Sequence, residues 1–284
     1  MKSAAFGRLV AGPVGSGKTT SCIMELFRRS LEQEKAPDGY RYTRFAVVRQ
    51  TLKQLKDTVL KDIMKELEGL CTYRVTDNLI LVEFGDIRSE WLLIPLEDPE
   101  DQRRLLSMQL TGAWMSECIE MQVKLVAALS GRCGRYPSGN KGYCTWRGVI
   151  ADTNMPSEGS DWHKFMTDPN NTEWEIFLQP GGLEEHAENL MWLNQTAESV
   201  KLPLDSPERA AIGRVYYERL ARTSNVDWVK RYVHAQFGDD PSGSAVYRDS
   251  FKSSFHVVEG LQPHKFAPLI IGQDFGRDQI GRAH

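Results

Sequence analysis

The chain is poor in the features that would mark it as secreted, membrane-bound or metal-stapled. It has five cysteines in 284 residues (Cys22, Cys71, Cys118, Cys133 and Cys144), and no two stand in C-x-x-C spacing. That argues against a zinc site, and an odd, scattered set suits a reducing, cytosolic compartment. Cys133 and Cys144 are spaced to bracket a small loop, but free thiols are the expectation. No apolar run approaches transmembrane length, and the first residues lack a signal-peptide pattern, so no membrane association is expected. There are no internal repeats and no low-complexity segment. Neither sign of charge dominates: 35 Lys and Arg face 38 Asp and Glu, a net charge of −3. A molecule that is basic overall is thereby excluded, and any contact with DNA must come from a local patch. What remains is a globular composition, 41% hydrophobic and 26% charged, enough for one large domain or two smaller ones.

Against that background one stretch stands out: Gly12-Pro13-Val14-Gly15-Ser16-Gly17-Lys18-Thr19. It fits G-x-x-x-x-G-K-[ST], the phosphate-binding P-loop or Walker A motif. Its glycines let backbone N–H groups turn inward around phosphates. Lys18 is expected to reach the β- and γ-phosphates, the Thr19 hydroxyl to ligate Mg²⁺, and Gly12, Gly15, Ser16, Gly17 and Thr20 to complete the nucleotide cradle. The pattern arises by chance in roughly one chain in a hundred. Its setting sharpens it: residues 6–11 read as a short strand, and a helical pattern runs over 19–33.

The rest of the chain continues in the same style. Residues 45–48 read as a buried strand ending at Arg49-Gln50-Thr51. A second amphipathic helix carries Leu52, Leu55, Val59, Ile63 and Leu67. Apolar strands alternating with helices predict a mostly parallel sheet flanked by helices, the α/β architecture of P-loop (ASCE/RecA-like) proteins. Residues 79–82 and 91–94, around Gly85-Asp86, predict an antiparallel hairpin added to that sheet. A charged connection over 97–104 opens a short helix. A short strand over 110–115 leads into Ser116-Glu117, then a helix over 119–129 and a glycine-rich basic loop over 131–139. Residues 147–151 form the next strand, running into Asp152-Thr153-Asn154, and 174–178 the last of this domain. After Pro180-Gly181-Gly182 the pattern turns helical, with helices over 185–193, 207–221 and 226–233. A polar linker over 238–243 precedes a short strand over 269–272 that carries Asp274.

In open α/β sheets ligands bind at the carboxyl ends of the strands. Three such ends carry polar groups here: the P-loop, Ser116-Glu117 and Asp152-Thr153-Asn154. P-loop ATPases pair an Asp for Mg²⁺ with a Glu that polarises the attacking water. Ser116 stands at the Asp position, and Glu117 remains as the candidate base; the alternative is a cap on the next helix. Asp152, Thr153 and Asn154 are placed to couple the state of the γ-phosphate to the rest of the chain, or simply to close a turn. Arg103, Arg104, Arg132 and Arg135 are arginine-finger candidates, each with the alternative of a surface or DNA-facing role. Arg209, Arg214, Arg219, Arg222, Lys230 and Arg231 give the helical segment a basic bias that either tracks a phosphate backbone or is a solvated face.

Taken in order, these stretches resemble the large terminase subunit of tailed double-stranded DNA bacteriophages. The matching residues are 12–20, Arg49-Gln50-Thr51, Leu110-Thr111-Gly112-Ala113-Trp114 with Glu117, 131–138 and Asp152-Thr153-Asn154. Pro180-Gly181-Gly182-Leu183 with Glu188-Asn189-Leu190, 228–233, and Gly272-Gln273-Asp274-Phe275-Gly276 complete the set. The resemblance implies a P-loop ATPase core over 1–180, a helical linker or lid subdomain over 181–237, and over 238–284 a linker and the truncated start of an RNase H-like nuclease domain. It implies an ATPase, using ATP and Mg²⁺, that drives viral double-stranded DNA into a prohead in the host cytoplasm. The implied partners are the portal protein, the small terminase subunit and further copies in a ring. Asp274 matches the first metal-binding Asp of the endonuclease. Two departures stand out: Val14 occupies a P-loop position where many members carry Arg, and Ser116 replaces an acidic or amide residue.

Residues 279–284 resemble a translated sequencing-library adapter, so the natural chain is expected to continue past Asp278, and no nuclease activity is expected from these residues alone. Two other classes stay open from the sequence. A small-molecule P-loop kinase needs an acceptor pocket and an arginine-rich lid, which the hairpin and long C-terminal extension do not suit. A nucleotide-gated DNA-binding scaffold without turnover is motivated by Ser116.

Overall fold

Gly7–Ala11, Gly112–Met115 and Gly148–Thr153 are buried at every position. Strands with no alternating exposed face belong in a parallel sheet covered on both sides. The structure, a computed structural model, describes residues 3, 5–97 and 99–238. The strands are β1 (Gly7–Ala11), β2 (Arg41–Arg49), β3 (Cys71–Arg74), β4 (Leu79–Phe84), β5 (Ile87–Pro95), β6 (Gly112–Met115), β7 (Gly148–Thr153) and β8 (Trp174–Leu178). They form one sheet in the order β3-β4-β5-β2-β6-β7-β1-β8. Every pairing from β5 through β8 is parallel. The β3–β4 and β4–β5 pairings are antiparallel, so the expected hairpin is present, with β3 as an additional edge strand.

The alternation of side chains divides the core. Leu9, Ala11, Ala46, Val48, Ala113, Met115, Val149 and Ala151 pack on one face. That face is covered by α4 (Pro99–Leu106), α5 (Lys124–Ser130) and α6 (Asp161–Thr167) through Leu105, Leu125, Val126, Leu129 and Trp162. Phe45, Val47, Trp114 and Ile150 pack on the other, against Cys22, Ile23 and Leu26 of α1 (Lys18–Glu32). Each fully buried large apolar side chain contributes about 1.5–3 kcal/mol. On the α1 face Arg8 of β1 is fully buried and ion-paired with Glu25. The strand before the P-loop is thereby tied to the helix after it.

The second amphipathic segment is not one regular helix. It runs as α2 (Leu52–Gln54), a π-helical turn (Leu55–Val59) and α3 (Leu60–Glu66). Leu55, Val59, Ile63 and Leu67 recur every four residues, a stripe that drifts off one face of an α-helix of about 3.6 residues per turn. The wider π turn keeps them in line, and all four are buried.

Two expected helices are corrected. Residues 119–129 break into a 3₁₀ turn (Cys118–Glu120) and α5, because Met121 is extended and its carbonyl accepts the Trp162 Nε1–H at 2.6 Å. Residues 185–193 are turns plus a 3₁₀ segment (Leu190–Trp192), entered through Asn189 at φ 63°. Here Leu190 packs on α7 (Pro207–Thr223), where a Cβ at Gly213 would overlap the Leu190 carbonyl. Leu190, Tyr217, Val229 and Val233 make a small separate core joining α7 to α8 (Val226–Tyr232). The strand at 269–272, Asp274, the linker from residue 239 onward and residues 279–284 lie outside the described residues.

Candidate functional site

β6, β7 and β1 are adjacent and parallel, so their carboxyl ends open on one side of the sheet. The P-loop follows β1. Gly15 and Gly17 have φ of 76° and 83°, in the left-handed region that glycine alone enters freely. With Gly17 as its N-terminal cap residue, α1 begins at Lys18 with no side-chain cap, leaving its first N–H groups for an anion. Lys18 is folded back: its Nζ donates to the Gly12 carbonyl at 3.1 Å and the Pro13 carbonyl at 2.7 Å. Ser16 Oγ donates to the Pro13 carbonyl at 2.8 Å.

The three predicted strand ends do converge. Val14, Gly15, Ser16, Gly17, Lys18, Thr19, Thr20, Glu117 and Asn154 line one cleft of about 290 Å³. Glu117 sits at φ 50°, ψ 56°, an uncommon conformation for a residue with a side chain, and its side chain makes no capping bond. The helix-cap alternative therefore has no hydrogen bond behind it, and strain of this kind gathers at functional positions. Burial raises the Glu117 pKa against the opposing charges of Lys18 and Arg49 and a hydrogen bond from the Asn154 backbone N–H. Burial likewise lowers that of Lys18, against Glu117 and Asp152.

Asp152 and Thr153 are the last residues of β7 and are fully buried, not part of a turn beyond it. Asp152 accepts from Trp114 Nε1 at 2.6 Å through Oδ1, while Oδ2 has no hydrogen-bond partner. Burial, then the Glu117 charge, pushes its pKa up to about 7. Asn154 braces the P-loop instead of closing a turn: its Nδ2 donates to the Gly12 carbonyl at 2.8 Å. Ser116 is buried beside them.

No protein-family model and no curated protein matches the sequence. Solved structures do match. The large terminase of a thermophilic bacteriophage superposes in one crystal form with a TM-score of 0.57, at 15% identity, over 82% of this chain and 49% of the phage protein. Another crystal form of the same phage protein gives 0.57 at 16% identity, over 96% of this chain and 57% of that one. Its complex with ATP-gamma-S gives 0.54 at 15% identity, over 96% and 56%. The fold is that of a large terminase. The chain spans about half the length of the solved structures it matches.

On this terminase fold the four arginine-finger candidates stand away from the P-loop cleft. Arg103 and Arg104 are exposed on α4, and neither lines it. Arg132 and Arg135 sit at the opposite end of β6, where the Arg132 carbonyl accepts from Leu110 N and Arg135 N donates to the Leu110 carbonyl. At about 3.3 Å per residue that is roughly 20 Å from Glu117, beyond reach within one chain. The basic bias of the helical segment divides: Arg219 and Arg222 are exposed and Lys230 pairs with Glu158, while the other three are engaged by main-chain carbonyls. Arg209 donates to the Met191, Val200 and Leu202 carbonyls, Arg214 to those of Leu183 and Glu184, and Arg231 to Met155.

Several residues at the cleft carry no site role in the sequence reading. Arg49, the last residue of β2, pairs with Glu120 at 3.1 Å and acts electrostatically on Glu117 and Asp152. The available signal was its position at a strand end next to that of Glu117. Gln179 Nε2 donates to the Ser16 carbonyl at 3.3 Å, Asn189 Nδ2 to Gly15 at 2.7 Å, and Tyr217 Oη to Val14 at 2.8 Å. These come from distant chain segments; Asn189 falls in a stretch that carries the family resemblance, but nothing local marks its contact with the P-loop.

Proposed function

We propose that this chain is the ATP-hydrolysing motor part of a large terminase, which moves viral double-stranded DNA into a prohead in the host cytoplasm. The observation that carries the reading is the placement of Glu117 in one cleft with Lys18 and the P-loop backbone. In this reading the loop amides and the start of α1 hold the phosphates, and Lys18 leaves the Gly12 and Pro13 carbonyls for the β- and γ-phosphates. Glu117 takes a proton from water as the water oxygen attacks the γ-phosphorus. The bond to the β–γ bridging oxygen breaks, releasing ADP and inorganic phosphate. A carboxylate whose pKa burial has raised is a stronger base than an ordinary one, which suits a general base.

Among the described residues no group of three or more His, Cys, Asp or Glu gathers to hold a metal. Mg²⁺ arriving with the nucleotide fits this donor set, since it takes most of its oxygens from phosphates and water. The Thr19 hydroxyl, which lines the cleft, would hold it, and it would neutralise charge on the phosphates. Asn154, bonded to both the P-loop and Glu117, is the coupling residue of this proposal, with Asp152 and Thr153 behind it.

The portal protein, the small terminase subunit and neighbouring copies in a ring are the proposed partners. A neighbour is the proposed source of an arginine such as Arg132 or Arg135. A P-loop core over 1–180 and a helical linker or lid subdomain over 181–237 are the proposed units, with the Asp274 endonuclease active only in a longer chain. Phosphate release by the purified chain, without any acceptor, tests the proposal. Lys18→Ala is expected to abolish release, and Glu117→Gln to slow it by about 100-fold or more while ATP still binds. A parental rate in Glu117→Gln would sink the base assignment. Nucleotide binding without turnover, even with DNA and portal added, would favour the scaffold reading that Ser116 motivates.

A further inference from the structure

Beside the phosphate cleft lies a second, larger one of about 580 Å³. The two share Ser16, Gly17 and Thr20 as lining, so they adjoin at the P-loop and the start of α1. Away from the P-loop the larger cleft is lined by Lys65, Glu66, Gln179, Glu188, Asn189 and Trp192.

Trp192 is the unusual member. The chain has seven tryptophans, and it alone is exposed, at 64%. A large aromatic left in water at the wall of a cleft is an available stacking surface. Its position is fixed from both sides. Arg209, itself buried and held by three carbonyls, places its guanidinium 5.3 Å from the Trp192 ring centroid. Trp192 lines the cleft and Arg209 does not, and a cation beside the indole helps to hold the ring in place. Three residues earlier, Asn189 donates to the P-loop carbonyl of Gly15 at 2.7 Å, which sets the spacing from the phosphate cradle to the indole. Glu66 and Glu188 add carboxylate acceptors to the lining, the chemistry that receives an exocyclic amine.

We propose that this cleft takes the base of the nucleotide, an amino-bearing purine stacked on Trp192. The inference rests on the reading of the P-loop as a triphosphate site and adds the base to it. Phosphate and base are then read by different parts of the chain: the P-loop by its backbone, the base by the segment that follows β8.

Calorimetric titration of the full chain with ATP, and with inorganic tripolyphosphate as a probe that lacks sugar and base, separates the two. In Trp192→Ala the Kd for ATP is expected to rise about tenfold, the scale of a single base–aromatic stack, with tripolyphosphate affinity unchanged. Unchanged tripolyphosphate binding also shows that the variant is folded. Trp192→Phe should restore most of the ATP affinity, and inosine triphosphate, which lacks the exocyclic amine, should bind the parent more weakly than ATP. Equal ATP affinity in the parent and Trp192→Ala, or equal losses for ATP and tripolyphosphate, would overturn the stacking proposal and leave the P-loop reading standing. Failure of the parent chain to bind either probe would overturn both.

Discussion

Trp114 and Asp152 stand on neighbouring parallel strands and share a hydrogen bond of 2.6 Å from the indole N–H to the carboxylate, with neither side chain exposed to water. The bond links β6 to β7 on the face that packs against α1. It anchors one oxygen of an acid whose other oxygen has no partner.

Trp114→Phe keeps most of the apolar volume and removes the donor. Because it leaves a buried carboxyl with neither oxygen bonded, a loss of about 1–3 kcal/mol is expected in the urea-unfolding free energy. A loss under about 0.5 kcal/mol would show that the bond adds nothing net.

The pH dependence of stability follows from the Asp152 shift. Its folded pKa of about 7 lies above the reference value of 3.8, so the folded state holds a proton that the unfolded chain releases. The resulting stabilisation is fully present below the unfolded value and is lost as pH rises through about 7. Asp152→Asn retains an acceptor for Trp114 and cannot ionise. Urea midpoints of the variant should vary less between pH 5 and pH 8 than those of the parent, with the variant gaining most at pH 8. Parallel pH profiles for the two proteins would contradict the assignment.

Arg49 opposes the burial of Glu117 and so lowers its pKa. With Glu117 as the base, Arg49→Ala should move the acidic limb of the kcat–pH profile to higher pH, because the base then stays protonated longer. A general slowing with an unmoved limb would make Arg49 a structural residue only.

Tyr217 reaches from α7 to the P-loop, where its hydroxyl donates to the Val14 carbonyl at 2.8 Å. Tyr217→Phe should cost about 1 kcal/mol of global stability, the ordinary net worth of one hydrogen bond. It should also speed amide hydrogen exchange at the Val14 N–H, which donates to the Tyr232 carbonyl at 2.9 Å. Unchanged exchange there would mean that the helical segment holds the loop without Tyr217.

The sheet was legible because its strands are short apolar runs ending in polar residues; the strand at Trp174–Leu178 matches residue for residue. The convergence of strand ends was legible where polar residues follow an apolar run, as with Glu117 and Asn154, which line one cleft with the P-loop. What escaped depends on contacts between distant segments. Met121 leaves the helix for the Trp162 indole, and Asn189 leaves it for the Gly15 carbonyl. Neither partner belongs to the same stretch of chain, so no local window contains both halves of the contact. The arginines show the same limit from the other direction: Arg209 and Arg231 look like a solvated basic face, yet both are consumed by main-chain carbonyls.

The bonds to the P-loop are spread along it. Gly12 is held by Thr153 and Asn154, Val14 by Tyr217 and Tyr232, Gly15 by Asn189 and Ser16 by Gln179. Fixing a free backbone costs about 1–2 kcal/mol per residue in conformational entropy. Over these positions that cost falls on folding and not on ligand capture, so under the proposed function the loop would meet phosphates already in shape.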